Sequence, residues 1–153
     1  MRLFRPLLII AAVLGVALSP ARAGASTAST AAPWWVDANE ATIIDWLNSE
    51  RGWYGRPALV VDPNLTTMAR QQAWAMANCG CLYHQSLQPA LNQGWNPVGE
   101  NVGYAGDLWS VHVALSYSPP HLQNILGWGY KGMGIGVAVS GGKVWVSQVF
   151  GGF

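Results

Sequence analysis

The sequence predicts an α+β domain, and three observations predict it. Two stretches in the first half repeat apolar residues at helical spacing behind good N-caps, and the C-terminal stretch alternates β-branched and aromatic residues around a Gly-Gly turn. The length of 153 residues suits one well-buried core and is short for two. With 51% apolar and only 10% charged residues, the chain is neither disordered nor an acidic tail.

Met1 to Ala23 places Arg2 and Arg5 before an apolar run from Leu7 to Leu18 and ends on Ala21-Arg22-Ala23, the pattern of a secretory signal peptide over residues 1–23. A signal anchor is the rival reading, but the run is short of the roughly 20 apolar residues that a membrane helix needs. The mature protein is therefore expected to be secreted and not an integral membrane protein. Without Arg2, Arg5 and Arg22 the formal net charge moves from +1 to −2, leaving no basic field for nucleic acid. Residues 24–32, rich in Ala, Ser and Thr, read as a flexible lead, and the domain as residues 33–153.

Within that domain, Asp37 and Glu40 stand at capping-box spacing before Ile43, Ile44 and Leu47, so a first helix runs over 37–49 and stops by Gly52. Asp62 and Pro63 start a second helix reaching about Asn78. Pro97 to Tyr104 alternates weakly and holds Gly99 and Gly103, which suggests a short strand that is bulged or closely approached. Asp107 caps a helix over 108–117, and Ser118 with Pro119 caps another through Leu126. Met133 to Val139 and Lys143 to Phe150 form a hairpin around Ser140-Gly141-Gly142.

Chemistry concentrates in three polar islands: His84-Gln85-Ser86, Gly99-Glu100-Asn101 and Ser118-Pro119-Pro120-His121. Beyond Asp62 the only acids are Glu100 and Asp107, so a carboxylate there needs a reason. Two imidazoles and one carboxylate match the ligand types of an open zinc site, although no His-Glu-x-x-His segment holds two of them on one helical face. Glu100 can equally serve as a buried anchor accepting N–H groups, or orient one of the rings. No Gly-x-Ser-x-Gly elbow appears, Asp107 is more economically a cap, and no second carboxylate supports a glycosidase pair. His112 reads as a packing or surface histidine, while Trp95, Trp109 and Trp128 flank the motifs as a candidate apolar or carbohydrate-facing platform.

Cys79-Gly80-Cys81 is the remaining oddity. Export favours oxidation, and each thiol's only cysteine neighbour lies across Gly80, so a local disulfide competes with free or intermolecular thiols and with soft-metal ligation through His84.

The order of these islands, together with Leu47-Asn48 through Arg51, Pro57-Ala58-Leu59, Asn124-Ile125-Leu126, Gly134-Ile135-Gly136-Val137-Ala138 and Val149-Phe150-Gly151, resembles a bacterial member of the CAP superfamily. This superfamily comprises the cysteine-rich secretory, antigen 5 and pathogenesis-related 1 proteins and is also called SCP. The resemblance covers nearly all of Pro33 to Phe153. It implies a three-layer α-β-α sandwich with a small central antiparallel sheet and an open cleft in which two His meet acidic partners. Matched motif by motif, the cleft residues are His84, Glu100, Asn101, Ser118 and His121, with His84 and His121 as ligands of a divalent cation, zinc first. The fuller pattern of animal and plant relatives carries a second acid before the second His; here that stretch is Leu115-Ser116-Tyr117-Ser118, which weakens any scheme needing paired carboxylates. The expected function is extracellular binding of a lipid-like or envelope ligand rather than a defined reaction, because no single activity comes with the fold. A metal-dependent hydrolase using His84, Glu100 and His121 is the enzyme alternative, and a structural envelope protein the third reading.

Overall fold

The computed structural model describes residues 32–33 and 35–153, which fall in one compact unit, Ala31–Phe153. The signal peptide expected over residues 1–23, and all of the lead but Ala32, lie outside the described residues.

Helix α1, Ala38–Trp53, begins with the capping box that Asp37 and Glu40 encode: the Asp37 carboxylate accepts the N–H groups of Asn39 and Glu40, and the Glu40 side chain accepts the Asp37 N–H. Gly52 does not stop it; the helix runs one residue further, with Tyr54 at the C-cap. Strand β1 is the pair Val60–Val61, and helix α2 spans Pro63–Cys79 from the Asp62 cap to Gly80, whose φ of 66° is the left-handed terminus that favours glycine. A short helix α3, Gln88–Asn92, precedes strand β2, Val98–Ala105. Helices α4, Leu108–Ser116, and α5, Pro119–Ile125, follow, and the hairpin closes the chain with β3, Gly132–Ser140, and β4, Lys143–Gly151. Gly141 and Gly142 take φ of 59° and 70° in its two-residue turn, as the sharp reversal requires.

The strand order is β1-β3-β4-β2. The three long strands are antiparallel as expected, but β1 runs parallel to β3, so the sheet is mixed rather than purely antiparallel. β1 and α3 escape the sequence pattern because a two-residue strand shows no alternation and α3 has no side-chain cap. The register of β2 on β4 is unbroken, so its glycines mark close approach and not a bulge.

Alternation on the strands divides the core between two faces. Met133, Ile135, Val146 and Phe150 pack with Ile43, Ile44 and Leu47 of α1, Val111 and Leu115 of α4, and Ile125 of α5. On the opposite face, Val149 packs with Leu65, Met68 and Ala69 of α2, and Val102 and Trp145 pack with Met76 and Ala77. The result is the α-β-α sandwich. Each fully buried aliphatic side chain contributes roughly 1.5–3 kcal/mol of transfer free energy. α2 lies so close to β3 that a Cβ on Gly134 would overlap the Leu65–Thr66 backbone, and one on Gly136 the Ala69–Arg70 backbone.

Candidate functional site

The site is built on β2, which among the described residues is an edge strand paired only with β4. Because successive residues of a strand face opposite ways, Glu100 and Asn101 reach into different layers. The Glu100 side chain is 2% exposed, and its two oxygens take four donors. Oε2 accepts from His84 Nδ1 at 2.8 Å and the Gln85 backbone N–H at 3.2 Å; Oε1 accepts from Gln85 Nε2 at 2.7 Å and Ser147 Oγ at 3.0 Å. This carboxylate fastens the loop after α2 to the sheet. The same loop is held at its start by Gln72 Nε2 donating to the Tyr83 carbonyl and by a disulfide between Cys79 and Cys81.

Asn101 performs the matching task on the other face. Its Nδ2 donates to the His121 carbonyl at 3.0 Å and to Gln148 Oε1 at 3.1 Å, while its Oδ1 accepts from Asn124 Nδ2 at 2.9 Å. Asn124 also donates to the Glu100 carbonyl, and the Tyr130 hydroxyl donates to Asn124 Oδ1. Gly99 is glycine for the same reason: a Cβ there would overlap the Tyr130 hydroxyl. The Gly-Glu-Asn island is thus a double buckle, with one residue yielding space, one gripping the His84 loop and one gripping α5.

Helix α5 is gripped at its far end as well. Arg51 of α1 is fully buried, donates to the carbonyls of Ile125 at 2.5 Å and Gly127 at 3.2 Å, and so places a cation at the C-terminal pole of the helix. Burial, with Arg56 nearby, lowers its pKa from the ordinary arginine value.

The two imidazoles differ. His84 lies on the exposed side, with 60% of its side chain open to solvent, and donates Nδ1–H to an acceptor-only carboxylate, so in the neutral ring Nε2 carries the lone pair. His121 is half-buried, and its Nδ1 meets Ser118 Oγ at 2.7 Å. Ser118 stands at the N-cap position of α5 but makes no side-chain cap bond, contrary to expectation, because its hydroxyl engages His121 three residues on. Desolvation lowers the His121 pKa, and the field of His84 lowers it further. His121 is accordingly neutral at physiological pH.

His84, Glu100 and Asn101 thus share one hydrogen-bonded edge with the backbone of His121, and Ser118 joins through the His121 ring. Leu115 of the stretch that lacks the second acid enters the core. Among the described residues no three His, Cys, Asp or Glu side chains gather as a cation cage. Gln85, Ser147, Gln148, Asn124 and Arg51 complete the edge without having been singled out as site residues. A polar Ser147-Gln148 pair inside the apolar run Val144–Phe150 was the available signal. His112 is buried against Trp46 and Trp109, Trp128 lies under the Arg56 guanidinium, and Trp95 packs against Gly132 and Gly151.

A family model described as the cysteine-rich secretory protein family, CAP, matches residues 44–150. The uncharacterized protein YkwD of Bacillus subtilis is 27% identical over 143 residues, covering 87% of this chain; the chain spans about half, 55%, of that relative. An extracellular protein containing an SCP domain from Bacillus anthracis superposes with a TM-score of 0.64 at 23% identity, over 75% of this chain and 40% of its own. An outer surface protein from Borrelia burgdorferi gives 0.69 at 16% identity, over 76% of this chain and 96% of its own. At these identities the two structures speak for the fold.

Proposed function

The chain belongs to the CAP, or cysteine-rich secretory protein, family, and from that premise we propose that it is an exported binding protein whose ligand enters between His84 and His121. One observation carries this reading against the enzyme: both Glu100 oxygens are filled by protein donors, so no carboxylate at this edge is left to act as general base or nucleophile. A group so placed orients a ring and holds a loop.

The ligand class follows from the surroundings of the rings. Two imidazole nitrogens, Nε2 of His84 and of His121, are the ring atoms not engaged by Glu100 and Ser118. Exposed Leu82 and Tyr83 precede His84, and exposed Tyr117 precedes Ser118, so exposed apolar residues flank the polar pair along the chain. That combination suits an amphiphile, a lipid-like or envelope component with a polar head. The donor set also fits a divalent cation, zinc by ligand type, held by His84 and His121 and otherwise hydrated. When bound, such an ion would supply a positive charge for an anionic head group. Extracellular location is part of the same proposal, supported by the extracellular and outer-surface proteins among the structural neighbours. No described helix is long and apolar enough to cross a membrane.

Native mass spectrometry of the mature protein, incubated with envelope lipids and glycans with and without zinc, tests the proposal. A retained ligand lost in His84→Ala and His121→Ala is expected. Steady substrate cleavage that disappears on chelation and in Glu100→Gln would replace binding by hydrolysis.

A further inference from the structure

The opposite margin of the sheet carries a different kind of site. β1 pairs only with Gly132 and Met133, and β3 continues to Ser140, so among the described residues its outer edge has no strand neighbour from Gly134 onward. Backbone direction along this edge is fixed. The Lys131 and Met133 carbonyls accept from Val60 and Asp62, and the pairing of β3 with β4 is continuous, so the period of two turns the N–H and C=O of Val137 and Val139 outward as well. Such edges are usually blunted by a Lys, a Pro or a bulge. Val137-Ala138-Val139-Ser140 has none of these.

That stretch lines a groove of about 630 Å³. Its second wall is α2, which presents Trp74, 66% exposed, and Asn78 one turn on. Its inner end is closed by an ion pair: Arg70, from the α2 layer, donates to both oxygens of Glu40, in the α1 layer, at 2.6 Å and to the Trp35 carbonyl at 2.9 Å. Since α1 and α2 lie on opposite faces, this pair passes the edge of β3 and divides it, leaving Val137–Ser140 open beyond. Asp37 also lines the groove, and with Glu40 and Arg70 mutually neutralised it leaves one net negative charge there.

We propose that this groove binds an extended polypeptide segment, which adds to β3 as a fifth strand by hydrogen-bonding Val137 and Val139 and packs a side chain on Trp74. Two features select this occupant. Unpaired strand backbone is the complement of another strand's backbone, not of a sugar or an acyl chain. The open stretch Val137–Ser140 lies between Trp74 and Asn78 of α2 and the Arg70–Glu40 pair at its inner end, a width that suits a single narrow strand. Alternate positions of the guest face Trp74, which favours an apolar or β-branched residue there, and Asp37 favours a cationic residue at one end.

The test uses the capped peptide acetyl-Lys-Thr-Val-Thr-Val-Thr-amide and its analogue N-methylated at alternate residues, with the full mature protein. Expected are saturable binding of the first peptide only, amide exchange at Val137 and Val139 slowed at least tenfold in the complex, and affinity weakened at least tenfold in Val139→Pro and in Trp74→Ala. Both positions are exposed, and unchanged thermal melts confirm that the variants fold. Equal binding of the N-methylated peptide, absence of binding, or Val137 and Val139 amides already protected without peptide would overturn the proposal. So would a dimer in sedimentation that Val139→Pro abolishes, or an oligosaccharide that engages Trp74 and leaves those amides unprotected.

Discussion

The two edges of the sheet solve opposite problems. At the β2 edge, side chains do the joining: Glu100 and Asn101 reach in opposite directions and tie to one strand a loop carrying His84 and a helix carrying His121. At the β3 edge, side chains stop short, and beyond the Arg70–Glu40 pair the main chain itself is the surface. A margin built from buried side chains hydrogen-bonded to one another is rigid and chemically specific. A margin built from open backbone recognises shape and direction and tolerates many sequences. One small sheet therefore presents two edges of unlike construction, one for each of the two proposed binding sites.

The largest expected effect breaks the β3 side. Gly134→Ala would drive a Cβ into the Leu65–Thr66 backbone, so α2 must lift from the sheet, at about 4 kcal/mol or more; urea denaturation should show a lowered midpoint or no folded protein. On the β2 side, Glu100→Ala leaves donors on Gln85 and the buried Ser147 without their acceptor and should cost about 3 kcal/mol. Glu100→Gln, retaining shape and one acceptor, should cost about half as much by the same denaturation. If the two variants melt alike, the carboxylate is not the clasp described. Losing the Cys79–Cys81 bridge should matter less: a loop closed over three residues restrains little of the unfolded chain, so Cys79→Ser/Cys81→Ser should cost about 1.5 kcal/mol at most.

Legibility in the sequence follows the range of each interaction. The caps of α1, α2 and α4 need only residues two or three apart, so Asp37, Asp62 and Asp107 announced their helices. The hairpin was equally local. The motif order told that His84, Glu100 and His121 belong to one region, but the role of Glu100 depends on Ser147, 47 residues away, and on Gln85. Ser118 shows the converse: its position reads as an N-cap, and a competing partner three residues on took the hydroxyl. Arg51 was visible as the charge that ends the Leu47–Arg51 motif, yet what it meets are carbonyls of Ile125 and Gly127, and no residue type marks a carbonyl.

The smallest effect separates the edges by titration. His121, at the β2 edge, and His112, buried against Trp46 and Trp109, both have pKa values lowered from 6.5 chiefly by desolvation, His121 also by His84 and His112 despite the opposing pull of Glu50. The sign is fixed by linkage: a histidine with a depressed folded pKa is protonated first in the unfolded chain, so its contribution is complete above about 6.5 and is lost as pH falls through that value toward the folded pKa. The melting temperature should therefore drop on acidification, and His112→Phe should flatten part of that drop while leaving the proposed zinc binding at neutral pH unchanged. His121→Gln should remove its own share and abolish zinc binding together. Peptide binding at Val137 and Val139 involves neither ring, so it should weaken on acidification only as the fold itself is lost; a separate midpoint near that of the histidines would mean that the two edges communicate.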